Sequence, residues 1–173
     1  MFWLCLHFPQ LALESVHVDA RVRGDRPLAI VDGPLQHRHV VLADAAALKA
    51  GVRSGHTAAT AQILCRRLVI APRDPSAEQQ ALQSLASWAY RFSAEISLAA
   101  ADTVFLEVGR SLALFGGWPV LERRLRAELD TFGFTCSLAA APTAAAARVL
   151  AMHTDGIAIP TLAHLTPALG AVA

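Results

Sequence analysis

A histidine stands where a chain of this pattern would be expected to present an acid. The opening run Met1–Phe8, MFWLCLHF, reads as a strand buried on both faces, broken at Pro9 and followed by a helix-like segment. A strand that enters a core and stops at a helix start is a common place to hold a catalytic carboxylate. Here the tip carries His7, and the first acid is Glu14. His7 could be a zinc, copper or iron ligand, or a catalytic base. No His or Cys stands at ligand spacing from it, so His7 reads as a core histidine with a satisfied hydrogen bond. His37 and His39 alternate with Arg38 on an expected strand, where both point one way and read as exposed polarity. Cys5, Cys65 and Cys136 lie far apart and at no metal spacing.

Other residues able to do chemistry are scattered. Asp102 falls at an expected hairpin tip, as suited to a turn as to a metal. Glu107 reads as a solvent-facing strand residue. Arg53, Arg66, Arg67 and Arg73 carry the positive charge that phosphate contacts require, with a solvated surface as the plainer reading. Trp88 and Phe92 stand four apart, a helical spacing that makes them core residues before base-stacking ones. Gly116-Gly117 lacks the Lys-Ser/Thr of a phosphate loop.

Composition bounds what can position these residues. The chain has 173 residues, 54% of them hydrophobic, which excludes a mainly disordered chain. Much of the apolar content is alanine, which favours close helix packing. The net charge of +1 advertises neither a nucleic-acid nor a membrane partner. An odd cysteine count, and an apolar start that is short and lacks a basic flank, point to a strand rather than a leader and to a reducing, cytoplasmic setting. The Ala-rich stretch 139–151 is interrupted by Pro142, Thr143 and Arg148, so no bilayer span is expected. Residues 157–173, apolar with Pro160 and Pro167, read as the beginning of a further region.

The expected elements run as follows. After the first strand come a helix over 11–20, a polar turn over 21–26, and strands over 28–31 and 39–42 that can pair as a hairpin. Asp44 caps a short helix stopped by Gly51; a helix over 57–64 and a strand over 68–71 follow. A long helix spans 76–92 with one apolar face, then a hairpin of 95–99 and 103–108, a helix over 119–132, a strand over 134–140 and a helix over 143–152. On the 119–132 helix, Glu122/Arg126 and Arg124/Glu128 stand four apart and can pair. Removing 11–74 leaves β-α-β-β-α-β, the ferredoxin-like order. The expected class is α+β. A ferredoxin-like palm comprises 1–10 and 75–160, a small α/β insertion occupies 11–74, and 161–173 opens a C-terminal region.

Four segments in this order resemble a known family: LCLHFPQLALE (4–14), VLADAAALKAGVRSG (41–55), WAYRFSAEISLAAADTVFLE (88–107) and SLALFGG (111–117). They look like the palm and fingers of Y-family translesion DNA polymerases, and above all like the ImuB branch, whose members resemble polymerases without polymerase chemistry. The resemblance covers nearly the whole chain. It implies that three carboxylates should hold two magnesium ions, one at the tip of the first strand and an Asp-Glu pair on the hairpin. By position these fall on His7, Asp102 and Thr103, so one acid of three is present. Mg²⁺ asks for oxygen ligands in near-octahedral geometry, and a two-metal clamp needs acids bridging both ions. The resemblance also implies a Tyr and an Arg on the triphosphate, here Ala45 and Leu48. A ring that rejects ribonucleotides corresponds to Ala12, and a palm lysine to Ala144.

What the resemblance implies is a non-catalytic scaffold in error-prone translesion synthesis, bridging the sliding clamp, a RecA-like partner (ImuA) and an error-prone C-family polymerase, with weak DNA contacts. Arg53, Arg66 and Arg67 are the candidates for those contacts, and no metal or other cofactor is expected. Two other readings stand beside it: a DNA-directed nucleotidyltransferase with a rearranged metal site, and a ferredoxin-like interaction module with no DNA role.

Overall fold

The first strand is the axis of the larger part of the molecule. The structure is a computed structural model, and it describes residues 1–170. In chain order the elements are β1 (Trp3–His7), α1 (Leu11–Ser15), α2 (Ala20–Arg23), β2 (Leu28–Asp32), a 3₁₀ turn (Leu35–His37), β3 (His39–Ala43), α3 (Ala45–Lys49), α4 (Ala58–Leu64), β4 (Val69–Pro72), α5 (Pro75–Ala89), β5 (Ile96–Ala100), β6 (Thr103–Glu107), α6 (Trp118–Phe132), β7 (Ser137–Ala141), α7 (Ala144–His153), β8 (Ile157–Ala158) and α8 (Leu162–Gly170). The contacts divide the chain into two units. One is Met1–Pro9 with the chain from Gln79 onward; the other is Gln10–Glu78.

The first unit is a five-stranded sheet of order β5-β6-β1-β7-β8. β1 pairs antiparallel with β6 on one side and β7 on the other. This is the βαββαβ arrangement of a ferredoxin-like palm. Successive side chains of β1 point to opposite faces, and both faces are buried, which explains the unbroken apolar run. On one face Cys5, Phe105, Ala139 and Ala141 pack with Ala146, Ala147, Leu150 and Ala151 of α7 and with Leu165 of α8. The alanines let α7 lie close on the sheet, so the alanine content of 139–151 serves packing rather than a membrane. No helix among the described residues is long and apolar enough to cross a membrane. The other face carries Leu4, Leu6, Val104, Leu106 and Leu138, all fully buried. The apolar stripes Leu82, Leu85, Ala89 and Leu121, Leu125, Leu129 of α5 and α6 are available to cover it.

α5 and α6 are joined through one carboxylate. Glu128 accepts hydrogen bonds from the Trp88 indole N–H (2.9 Å), Arg91 (2.7 Å) and Arg124 (3.1 Å). Trp88 stacks edge-on against Phe92 and Phe132, and Arg124 lies over the rings of Phe92 and Phe115. Trp88 and Phe92 are thus core residues, as their helical spacing implies. The pairs Glu122/Arg126 and Arg124/Glu128 both form, and Arg126 also reaches Asp155 (2.9 Å).

The second unit is a three-stranded sheet of order β3-β2-β4, with β2 antiparallel to β3 and parallel to β4. The β2–β3 pair is the expected hairpin. Arg73 grips the buried Glu78 with two bonds of 2.7 Å. Two local expectations change. The segment read as a polar turn over 21–26 begins as a helical turn, because Asp19 caps it by accepting from the Arg21 N–H. His37 is not on a strand with His39: it ends the 3₁₀ turn. Gly33 permits that turn with φ of +105°, where a Cβ would stand 2.9 Å from the His37 carbonyl.

At the far end of the chain, Leu162–Gly170 is helical and Leu165 is buried. Residues 171–173, the end of the segment read as opening a C-terminal region, lie outside the described residues.

Glu128→Gln keeps the shape and removes the charge from the α5–α6 joint. The expected cost is about 1–2 kcal/mol, or roughly 2–8 °C in Tm. The Trp88 hydrogen bond holds the Glu128 carboxyl below its ordinary 4.5, aided by Arg124 and Arg91 and opposed by burial. A depressed folded pKa stabilises above the unfolded value and is lost as pH falls through the folded one. Denaturant titrations should therefore show the gap between wild type and variant in full at pH 7, closing below pH 4.5.

Candidate functional site

The strand register builds the candidate site. His7 ends β1 directly opposite Thr103, the first residue of β6, and on the other side opposite Ser137, the first residue of β7. Directly opposed residues share a face of the sheet, so His7, Thr103 and Ser137 form a row on the α7 side. Asp102 occupies the turn just before β6. Its carbonyl accepts from the Phe8 N–H (2.9 Å), which extends the β1–β6 ladder past His7 and holds the turn against the strand tip.

The Asp102 carboxylate has polar neighbours on both oxygens. Oδ1 accepts from the Thr103 hydroxyl (2.9 Å) and lies 3.5 Å from Arg148 Nη2. Oδ2 lies 3.7 Å from His7 Nδ1. His7 is only 8% exposed, and Nδ1 has no hydrogen-bond partner. This corrects the expectation of a satisfied core histidine: the ring is core-like in burial, but its inner nitrogen faces a carboxylate beyond hydrogen-bond reach. Arg148 extends from α7 one turn after Ala144, on the same helix face. Its Nε is also buried without a partner. Sequence reasoning missed Arg148 as a site residue, although its spacing of four from Ala144 was a signal that could have found it.

This donor set does not fit a pair of magnesium ions. One carboxylate is present where three are implied, a guanidinium faces it, and an imidazole replaces a hard oxygen ligand. No group of three or more His, Cys, Asp or Glu is placed to hold a metal among the described residues. Below His7 on the same face, burial pushes the Cys5 thiol up to about 12, with Arg148 pulling it down and Asp102 adding to the rise. Burial likewise raises the Cys136 thiol.

The remaining sequence candidates lie as follows. Ala12 is half-buried on α1. Ala45 and Leu48 are exposed one turn apart on α3, which Asp44 starts by accepting from the Ala47 N–H while its other oxygen accepts from the Leu28 N–H. A methyl and an isobutyl group offer no donor to a phosphate. Arg53 turns back on α3, and its Nη1 donates to the carbonyls of Leu48 (2.6 Å) and Val52 (2.8 Å), a helix-end role. Arg66 and Arg67 are exposed, and no ion pair engages either one among the described residues. Glu107 does not face solvent. It is 7% exposed and accepts from the Phe2 (2.8 Å) and Gly109 (3.1 Å) N–H groups, so it anchors the chain start to the end of β6.

Comparison with known proteins follows this geometry. The chain matches the impB/mucB/samB family over residues 15–152. It is 34% identical over 119 residues to the protein ImuB of Caulobacter vibrioides, covering 69% of this chain and 26% of that protein. The fold is similar to a post-insertion binary complex of Dbh DNA polymerase, with a TM-score of 0.74 and 16% identity over 93% of this chain and 48% of that one. It is also similar to DinB from Sulfolobus solfataricus, with a TM-score of 0.71 and 18% identity over 92% and 48%. The chain thus spans about a quarter of the length of the curated relatives and about half that of the solved ones.

At pH 8 a thiol held at about 12 is almost wholly protonated and slow to alkylate. Iodoacetamide followed by peptide mass mapping should leave Cys5 unmodified in the folded protein and label it in denaturant. Native labelling at the rate of a free thiol would contradict the packing of α7 on β1.

Proposed function

The chain belongs to the impB/mucB/samB family, the Y-family polymerase-like proteins, and from that premise we propose that it is a catalytically inactive member acting as a scaffold in error-prone translesion DNA synthesis. The observation that carries this reading is the state of Asp102. The one carboxylate at the position the resemblance gives to a metal ligand has the Thr103 hydroxyl and Arg148 on one oxygen and faces His7 across 3.7 Å on the other. The nucleotide-facing positions Ala12, Ala45, Leu48 and Ala144 support it, since none carries a charge or a bulky ring. A polymerase active site that has lost ligands, triphosphate contacts and sugar discrimination together keeps a shape that can serve assembly.

The likeness to ImuB supports a setting in damage-induced mutagenesis and the SOS response, in the cytoplasm. The sliding clamp, the RecA-like ImuA and an error-prone C-family polymerase are the proposed partners of the whole protein. The solved relatives are DNA polymerases, which supports DNA as a ligand, held weakly through backbone phosphates. Arg66 and Arg67 carry that contact in this reading; Arg53, tied to α3, contributes less.

Isothermal titration with MgCl₂ and a deoxynucleoside triphosphate should give no binding tighter than millimolar, and primer extension should be absent. Micromolar nucleotide binding, or extension by the purified protein, would replace this reading with that of a nucleotidyltransferase. Fluorescence anisotropy with primer–template DNA across a salt series tests the second part. Arg66→Ala/Arg67→Ala should weaken binding for all sequences alike and reduce the log–log salt slope by about two. An unchanged slope assigns both arginines to solvated surface, and no DNA binding at low salt favours a plain interaction module.

A further inference from the structure

The disagreement between this site and a magnesium site lies in what has been gained as well as what has been lost. Losing two acids leaves Asp102 as a single ligand. What the geometry adds is a cation already in place. Arg148 is a permanent monocation whose Nη2 lies 3.5 Å from Asp102 Oδ1, with its Nε buried and pointing to no acceptor. Its origin on α7 is fixed by the packing of Ala146, Ala147 and Leu150 on the sheet. Thr103, in the row with His7, turns its hydroxyl onto the same oxygen instead of offering a carboxylate. His7 Nδ1 approaches the other oxygen. A divalent ion ligated by Asp102 would have to share that carboxylate with a guanidinium.

We infer that Arg148 is the resident counter-cation of Asp102. It takes over the charge role of a metal, so that Asp102 belongs to a metal-independent ion cluster joining the β5–β6 turn to α7. Restoring the missing acids alone therefore leaves any ion competing with Arg148. This inference rests on the reading of the site as a degenerate metal site.

The test measures Mn²⁺ binding by electron paramagnetic resonance, with folding checked by circular dichroism. His7→Asp/Thr103→Glu restores three carboxylates; the same variant with Arg148→Ala also removes the cation. The second should bind Mn²⁺ about tenfold more tightly than the first, because a like charge a few ångström away is removed. Equal affinity in both, or no binding by either, overturns the inference. Micromolar Mn²⁺ binding by the wild type would instead overturn the non-catalytic reading itself. Thr103 is fully buried, and a glutamate there threatens folding, so a second measurement leaves the acids alone. In a thermal cycle, Asp102→Asn and Arg148→Gln should each lower Tm by roughly 1–3 °C, and the double variant should melt no lower than the weaker single. Fully additive losses would overturn the pairing.

Discussion

The pairing of β1 with two strands that both lie beyond a long insertion is the constraint on which the palm depends. Residues 3–7 must find 103–107 and 137–141, one on each edge. Each contact closes a loop of roughly a hundred residues, and loop closure costs entropy before any contact rewards it. The reward is a central strand buried on both faces, with Leu4, Cys5 and Leu6 removed from water. A slip of one residue would exchange its two buried faces, turning Leu4 and Leu6 toward α7, whose alanines pack with Cys5. The register is therefore strongly specified, and it sets His7 opposite Thr103 with Asp102 in the adjoining turn. The site is a consequence of the register.

Given that frame, the chemistry at the strand tip follows from charge balance. A buried or half-buried carboxylate needs a partner. In a two-metal site the ions serve as partners to the acids. Here Asp102 is 38% exposed on its side chain and finds a hydroxyl, a guanidinium and an imidazole nearby. Each is donated by a different element, so the cluster also ties β1, β6 and α7 at one point. The Asp102 carboxylate is a joint between elements. Glu107 shows the same logic at the other end of β6, where the backbone N–H groups of Phe2 and Gly109 satisfy a buried acid.

Much of this was legible beforehand, and particular residues show why. The run MFWLCLHF, the cap Asp44 and the apolar stripe of α5 are local signals, and the structure uses each where expected. The misread residues were those whose state depends on something distant in the chain. Glu107 alternates like an outward strand residue, but Phe2 covers it from 105 positions away. His7 reads as a satisfied core histidine; its buried Nδ1 instead faces an Asp102 oxygen 3.7 Å away, on a residue 95 positions further along. His37 was read by alternation, which a glycine-permitted turn interrupts.

By itself the sequence determined the βαββαβ order with its insertion and the membership of the resembling family, because both are properties of residue type and order. The tertiary structure alone decided what Asp102 does. Whether Asp102 stands open to a cation or is already neutralised depends on where α7 lies against the sheet, and so on the small side chains that let it approach. No pattern within either segment encodes the 3.5 Å between Arg148 and Asp102. That distance exists only once β1 has paired with β6 and β7 and α7 has packed across them.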